Sequence, residues 1–577
     1  MKLLPKGISR FTEIIDQSKY FVDRTPYIGK LDSSGENFLF FVRPRRFGKS
    51  VFIDMLEAYY DIAQKERFGH YFRDTWIYDH VTPEQGKYQV IHLDFSKITA
   101  NLENIEDEFN VIVGYDIEDH ARKYRVMYDD DFIPKMESFV TAKAKLNHFC
   151  TQARRRGYSL YLLVDEYDNF TNAVLSSAGK AGYLEITHGT GFYREFFKVV
   201  KTGFQKIFMT GIAPVTMDDL TSGFNIATNI TLNPKYNGMM GFSVAEIREI
   251  IEYYRGEGKL AGLDTEEIIA EMAPWYDNYC FSEDAFSSHD QVFNSYMVTT
   301  FLSELADSGR MPKNMLVSNT LVDYEKLKRI ASLSGTLGVK DSEYEEFIEK
   351  IILGKISPSR IVESFPAEEL PYPANFQSYL FYLGMLTVTG VVGVMPVLGI
   401  PNENVRIQYY SYLQKCVRDT DWEIVSGMGA LALNAGMDGN IRPLTESILE
   451  ACAKYSGNRQ LKLREGLFQT FFLSFMYWND VFEPAPEIEM NHGYNDIFLF
   501  PKKGSIGVTH SFLIELKYLD AESTEYRKEQ ALIAAREQLE QYVQDARVAK
   551  LSQDTVLHKV VIVIKGFKLD CFEEEAV

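Results

Sequence analysis

The stretch NFLFFVRPRRFGKS, residues 37–50, decides the reading of this chain. Phe38 to Val42 form an apolar run without polar alternation, as expected of a strand buried on both faces of a parallel sheet. The run leads into Arg43-Pro44-Arg45-Arg46-Phe47-Gly48-Lys49-Ser50 and then into a helical pattern. That segment meets the phosphate-loop pattern GxxxxGK[ST] at every position but the first, where Arg43 stands for glycine. Gly48 allows the main chain to approach a phosphate, and the N–H groups that open the helix supply an anion site. Lys49 is placed to reach the β- and γ-phosphates and the Ser50 hydroxyl to bind Mg²⁺, with Arg46 and Phe47 in the same nucleotide-binding loop. Arg43, Arg45 and Arg46 either add charge near the phosphates or lie exposed beside carboxylates, and the sequence leaves both open.

Working outward, residues 37 to 230 alternate strand-like runs with helical patterns, the signature of a parallel α/β sheet. Strands are expected at Asn37–Val42, Gln89–Phe95, Leu160–Val164 and Lys206–Thr210. The third ends in Asp165-Glu166, which is what an NTPase needs: Asp165 to hold the metal, commonly through water, and Glu166 to orient or deprotonate the attacking water. The plainer alternative is a helix start capped by acids after an unrelated core strand. Thr210 ends the fourth strand either as a hydroxyl sensing the γ-phosphate or as an ordinary polar strand end. Arg154-Arg155-Arg156 reads as a solvated helix end or a phosphate-contact patch.

Seven segments carry a family resemblance: FVDRTPYIGKL (21–31), RPRRFGKS (43–50), VDEYDNF (164–170), TGIAP (210–214), GFSVAEI (241–247), WYDNY (275–279) and the hairpin IPNENVR (400–406). Together they resemble the AAA-ATPase-like family of bacterial and fungal proteins over roughly residues 5–415. The resemblance implies a P-loop ATPase module with a helical extension, and Arg43 is similar to the family's own variant loop.

A second constellation lies near the end of the sequence. Helix Arg464–Trp478, strands around Glu487–Met490, Ile497–Phe500 and Phe512–Lys517, helix Glu525–Lys550 and strand Lys559–Ile564 are expected in that order. Strand alternation puts Glu515 and Lys517 on one face, with Asp496 on a neighbouring strand. Two carboxylates so placed can chelate Mg²⁺ or Mn²⁺, and the lysine can polarise a water for attack on a phosphodiester. Glu and Lys alternating on an exposed edge strand is the bland alternative. This pattern resembles the PD-(D/E)XK nuclease superfamily over about 455–577. The resemblance implies a metal-binding role for Glu465 on the first helix and for Asp496, the ExK pair at Glu515 and Lys517, and a recurrent helix glutamine at Gln538. Where the family commonly has Gly-x-Gly-Arg-x-Asp, this chain has Asn491-His492-Gly493-Tyr494-Asn495-Asp496, with a longer segment before Glu515. His492 and His510 read as ordinary loop histidines, and Lys502-Lys503 as either a backbone contact or a plain turn.

Composition bounds the rest. Over 577 residues, 46% hydrophobic and 25% charged residues give globular material for three or four domains. The balance of 61 Lys and Arg against 81 Asp and Glu, −20 in all, argues against coating nucleic acid or anionic membrane with the whole surface. Five scattered cysteines form no CxxC pair, so buried thiols are expected. The start of the sequence, MKLLPKG, shows no secretory signal. The glycine-interrupted run 384–401 reads as two strands and a turn rather than a membrane span, and Glu573-Glu574-Glu575 as a solvated tail.

The expectation is therefore an α/β chain. Residues 1–240 form a P-loop parallel sheet, 241–454 a mostly helical extension with a β-hairpin near 384–410, and 455–577 a restriction-endonuclease-like α/β domain. It is expected to be cytoplasmic, with ATP and Mg²⁺ as cofactors (Mn²⁺ also suiting the second site). Nucleic acid is the expected partner of the C-terminal domain, with a second copy or a protein partner open. The ATPase would gate or position the nuclease; the alternative is an ATP-dependent switch or scaffold whose nuclease-like domain binds a partner and cuts nothing.

Overall fold

The computed structural model describes the chain except residues 99–103, 171–173, 175–181, 189–190, 215–226, 313–314, 316–346, 349, 353, 367–368, 371, 419–421, 460–464, 480, 487–488, 491–492, 495, 503–504 and 521. At 412–418, 422–425, 455–459, 465–467, 478, 485–486, 489–490 and 493–494 it describes the backbone alone. Two compact units emerge: one holds the described residues of 1–321 and 356–404, the other those of 340–355 and 405–577.

The first unit is built on β1 (Phe38–Val42), β2 (Tyr88–Asp94), β3 (Ser159–Asp165), β4 (Lys206–Gly211) and β5 (Thr228–Asn229). Their order is β2-β3-β4-β1-β5, and every pairing is parallel. Burial explains the composition of the central strands: β1 reads FLFFV and β3 reads SLYLLVD, and both are buried almost throughout. Strand β4 lies between β1 and β3, so the loop after β1 and the acids that end β3 open on the same sheet edge. The outer edge of β2 is closed by side chains. The Val90 N–H donates to the Tyr124 hydroxyl at 2.7 Å, the His92 N–H donates to His120 Nε2 at 3.1 Å, and Tyr88 forms a bridge with Asp61.

Helices Val244–Gly256, Thr265–Tyr276 and Ser295–Ser308 pack into a second core of the same unit, around Ile247, Ile251, Met272, Phe301 and Leu305, and Leu4 from the start of the chain joins it. A capping box of Ser243 and Glu246 fixes where the first of them begins. The run from 384 holds the hairpin β6 (Thr387–Val392) and β7 (Met395–Gly399), turning at Gly393 with φ +66°. IPNENVR is not part of it: Glu403 opens the helix Glu403–Arg418.

The second unit begins with helices and closes with a sheet of β8 (Phe482–Pro486), β11 (Ile497–Pro501), β12 (His510–Leu519), β13 (Val556–Lys565) and β14 (Lys568–Ala576); β9 (Glu489–Met490) and β10 (Gly493–Tyr494) pair separately. The order is β14-β13-β12-β11-β8, with β12 and β13 parallel and the other pairs antiparallel. Joining two parallel strands requires a crossover, and helix Glu525–Tyr542 supplies it. The expected helix to Lys550 is broken: Asp545 caps a separate helix, Ala546–Leu551. Glu573-Glu574-Glu575 is not a tail but part of β14, where Glu573 pairs with Arg536 and Glu575 with Lys559. Among the described residues no helix is long and apolar enough to cross a membrane.

Candidate functional site

The loop after β1 turns on two left-handed residues, Arg46 at φ +68° and Gly48 at φ +98°. Glycine removes the steric cost at the second, and helix Lys49–Tyr60 starts immediately after it. Lys49 Nζ donates to the carbonyls of Arg43 and Pro44 at 3.1 Å and lies 3.6 Å from Glu166 Oε1. The Ser50 hydroxyl donates to Asp165 Oδ2 at 2.6 Å, so loop and acidic strand end meet. Burial holds the Asp165 carboxyl above the usual range, and the Ser50 bond offsets only part of that. Glu166 adopts φ +50°, uncommon for a residue with a side chain, as it leaves the sheet. Thr210 is 0% exposed, and its hydroxyl has no hydrogen-bond partner among the described residues.

Thr210 apart, these groups share a cleft of about 560 Å³ whose wall includes Arg45, Arg46, Lys49, Ser50, Asp165 and Glu166. The same cleft is also lined by apolar Ile8, Phe21, Val22, Met239, Met240 and Phe242. A polar end able to take phosphates and an apolar slot able to take a flat base make a site of nucleotide size. Arg46 lies on this wall, with its guanidinium 4.9 Å from the Tyr296 ring centroid. Phe47 is buried edge-on against Tyr279 and Phe281. Arg43 is neither near the phosphate position nor exposed; it is fully buried beneath the loop. Sequence reasoning also passed over Asp168, whose two carboxylate oxygens accept the N–H groups of Ile212 and Ala213 at 3.0 Å and so hold the turn after Thr210. Arg154 and Arg156 make structural contacts, the first donating to the Thr202 carbonyl and the second pairing with Asp129.

In the second unit the predicted residues converge on β12. This strand is central, not an edge, and Glu515 is only 1% exposed. Lys517 Nζ donates to Glu515 Oε1 at 2.7 Å, so the two side chains do share a face. Asp496 precedes the pair Ile497↔Ile514, which sets it opposite Glu515, and its Oδ2 accepts the Leu516 N–H at 2.7 Å. Gln469, unforeseen from the sequence, donates to the Asp496 carbonyl at 2.9 Å from helix Glu465–Trp478. Glu465 stands one helical turn before Gln469; its side chain lies outside the described residues. Gln538 hydrogen-bonds Tyr542, whose hydroxyl burial and the Glu515 charge push to a raised pKa. Tyr542 too was missed, although its spacing of four from Gln538 puts both on one helix face.

Lys502 donates to the Asn479 carbonyl at 2.6 Å, while Lys503 and His492 lie outside the described residues. His510 opens β12 and sits 2.8 Å from His558 Nε2, whose other nitrogen is 3.0 Å from Glu574. Among the described residues no group of three or more His, Cys, Asp or Glu is arranged to hold a metal ion. The donors present fit hard cations: Ser50 with Asp165 in the first unit, and Asp496 with Glu515 on adjacent strands in the second.

The fold and these sites define a P-loop ATPase-type module joined to a restriction-endonuclease-like α/β domain. Comparison with known proteins agrees on both halves. Residues 5–221 match the AAA-ATPase-like family, described as predicted AAA-ATPase, and residues 463–574 match the PD-(D/E)XK nuclease superfamily. The chain carries a domain of each kind. It is also similar to an uncharacterized protein in the vnfD 5′ region of Azotobacter chroococcum mcd 1, with 24% identity over 295 residues, 49% of this chain and 50% of that protein. The chain thus spans about half the length of that curated relative. Among solved structures, Cdc6p from Pyrobaculum aerophilum aligns with 69% of this chain and 95% of its own at 11% identity and a TM-score of 0.26.

Proposed function

We propose that the first unit binds and hydrolyses ATP and that this activity gates or positions a metal-dependent nuclease in the second. The observation that carries the first half is the 2.6 Å contact between Ser50 and Asp165 beside Lys49. It joins a phosphate-binding loop to a metal-binding acid across one intervening strand. In this reading Lys49 exchanges its loop carbonyls for phosphate oxygens, Ser50 and Asp165 hold Mg²⁺, and Glu166 takes the proton of the attacking water. Arg46, Phe47 and Gly48 shape the loop, whereas Thr210 is fully buried off the cleft wall and is given no phosphate contact. When bound, the cation neutralises charge that develops on the phosphates.

What supports the second half is the meeting of Asp496, just before β11, with Glu515 and Lys517 on the central strand β12, where Glu515 is buried. Asp496 and Glu515 would hold Mg²⁺ or Mn²⁺, with Glu465 as a further ligand. Lys517, tied to Glu515, would orient a water toward a phosphodiester. Nucleic acid is the substrate this chemistry suits, in a cytoplasmic setting.

The test uses the full chain with Mg²⁺, ATP and single- and double-stranded DNA and RNA. Lys49→Ala abolishes ATP binding, and Asp496→Ala or Lys517→Ala removes cleavage while leaving ATP turnover intact. ATP turnover at the native rate in Lys49→Ala would refute the phosphate-loop assignment. ATP binding without cleavage of any substrate would leave the scaffold reading, in which the second unit holds a partner.

A further inference from the structure

Where the phosphate-loop pattern has glycine, this chain has an arginine that nothing in the phosphate chemistry requires. Arg43 is 0% exposed and does not line the nucleotide-sized cleft, whereas Arg45 and Arg46 do. Its Nη1 donates to the carbonyls of Val42 and Thr231 at 3.0 Å, and its Nη2 to those of Tyr236 and Asn237 at 3.4 Å. Its guanidinium lies over two rings, 4.2 Å from the centroid of Phe41 and 4.0 Å from that of Phe281. A desolvated cation is costly, and burial pulls this one down to about 9. Aromatic faces and carbonyl oxygens are the groups that offset such a cost without a counter-charge.

The partners come from separate parts of the unit. Val42 ends β1, Thr231 follows β5, Tyr236 and Asn237 belong to the turn Pro234–Met239, and Phe281 lies in the helical extension. The rest of the loop leans on that extension too. Phe47 packs on Tyr279 and Phe281, and the carbonyl of Arg46 accepts the N–H of Tyr296 at 3.3 Å. The Arg43 carbonyl in turn is one of the two that receive Lys49 Nζ. A shift at Arg43 therefore reaches Lys49 through a single hydrogen bond.

We propose that Arg43 is a positioning residue that pins the phosphate loop to the helical extension through Phe281, coupling nucleotide affinity to the packing of the extension. The proposal rests on the ATP-binding reading above. It predicts that restoring the pattern's glycine harms the site rather than repairing it.

The experiment measures Mg-ATP affinity of the full chain by titration with a fluorescent ATP analogue, alongside thermal unfolding. Arg43→Gly is expected to weaken affinity about tenfold or more, and Arg43→Lys, which lacks the flat fork, recovers little of it. Phe281→Leu weakens binding in the same direction, and the Arg43→Gly/Phe281→Leu pair loses less than the product of the two single losses, because either change removes the contact between the guanidinium and Phe281. By reciprocity, Mg-ATP slows amide hydrogen exchange at 279–284 in the native chain but not in Arg43→Gly, a readout that general loosening would not produce. Native affinity in Arg43→Gly overturns the proposal, as does a double variant whose loss is the product of the two. If Arg43→Gly does not fold, Phe281→Leu decides alone, and native affinity in that folded variant overturns it. Absence of ATP binding by the native chain instead defeats the phosphate-loop reading itself.

Discussion

On the proposed reading, proton and metal compete for the side chain of Asp165. Burial favours its neutral form, so its carboxyl titrates above the usual carboxylate range. A cation is bound by the ionised form only. Mg²⁺-dependent ATP affinity is therefore expected to fall on acidification while free carboxylates are still ionised, and titrations of the native chain across pH 4–8 measure it. Asp165→Asn should bind more weakly at pH 8 and lose this pH dependence. Asp277 gives a stability counterpart. Burial lifts its carboxyl to about 6, and a group raised on folding contributes stability at low pH that is lost as pH rises through that value. Asp277→Asn should consequently raise the melting temperature at pH 8, raise it less at pH 5 and hardly change it below about pH 4, as thermal unfolding across that range will show. At Glu166, replacement by Gln keeps the shape and removes the proposed base: ATP affinity should persist while turnover falls by about 10²–10⁴.

At the scale of elements, legibility followed how much of an element's environment is local. The buried runs of β1 and β3 announce themselves because both faces are apolar, and the loop between β1 and its helix carries its chemistry in adjacent residues. Strand β14 was hidden because its acids find their partners far along the chain, Arg536 for Glu573 and Lys559 for Glu575. The helix break at Asp545 depends on a side chain capping the next N-terminus, which composition alone does not separate from a solvated helix residue. That Asp496, Glu515 and Lys517 lie together was readable from strand alternation. Gln469 and Tyr542 were not, since a glutamine and a tyrosine on helix faces become notable only once the helices are docked. That docking should be testable: Leu539→Ala, from the buried face of helix Glu525–Tyr542, is expected to destabilise the second unit by about 2–4 kcal/mol. Denaturant unfolding followed by calorimetry would measure it, with metal-dependent cleavage falling at temperatures where that unit melts.

For the whole molecule, two units with separate cores predict two unfolding transitions rather than one. Mg-ATP should raise only the first unit's transition, and Mn²⁺ without nucleotide should raise the other, by mass action on the folded form. Scanning calorimetry with each ligand assigns the transitions. Residues 455–577 carry 14 Lys and Arg against 19 Asp and Glu, so the nuclease-like domain has no basic surplus to draw nucleic acid to it. Three of those acids, Glu465, Asp496 and Glu515, are the proposed metal ligands, and a bound cation would offset part of the charge. The sheet of the first unit has a further consequence. With the outward amides of Val90 and His92 already bonded to Tyr124 and His120, β2 offers a neighbouring chain no row of free donors to copy. That flank is inert to strand addition, so misassembly into cross-strand stacks is closed off there even when copies crowd together.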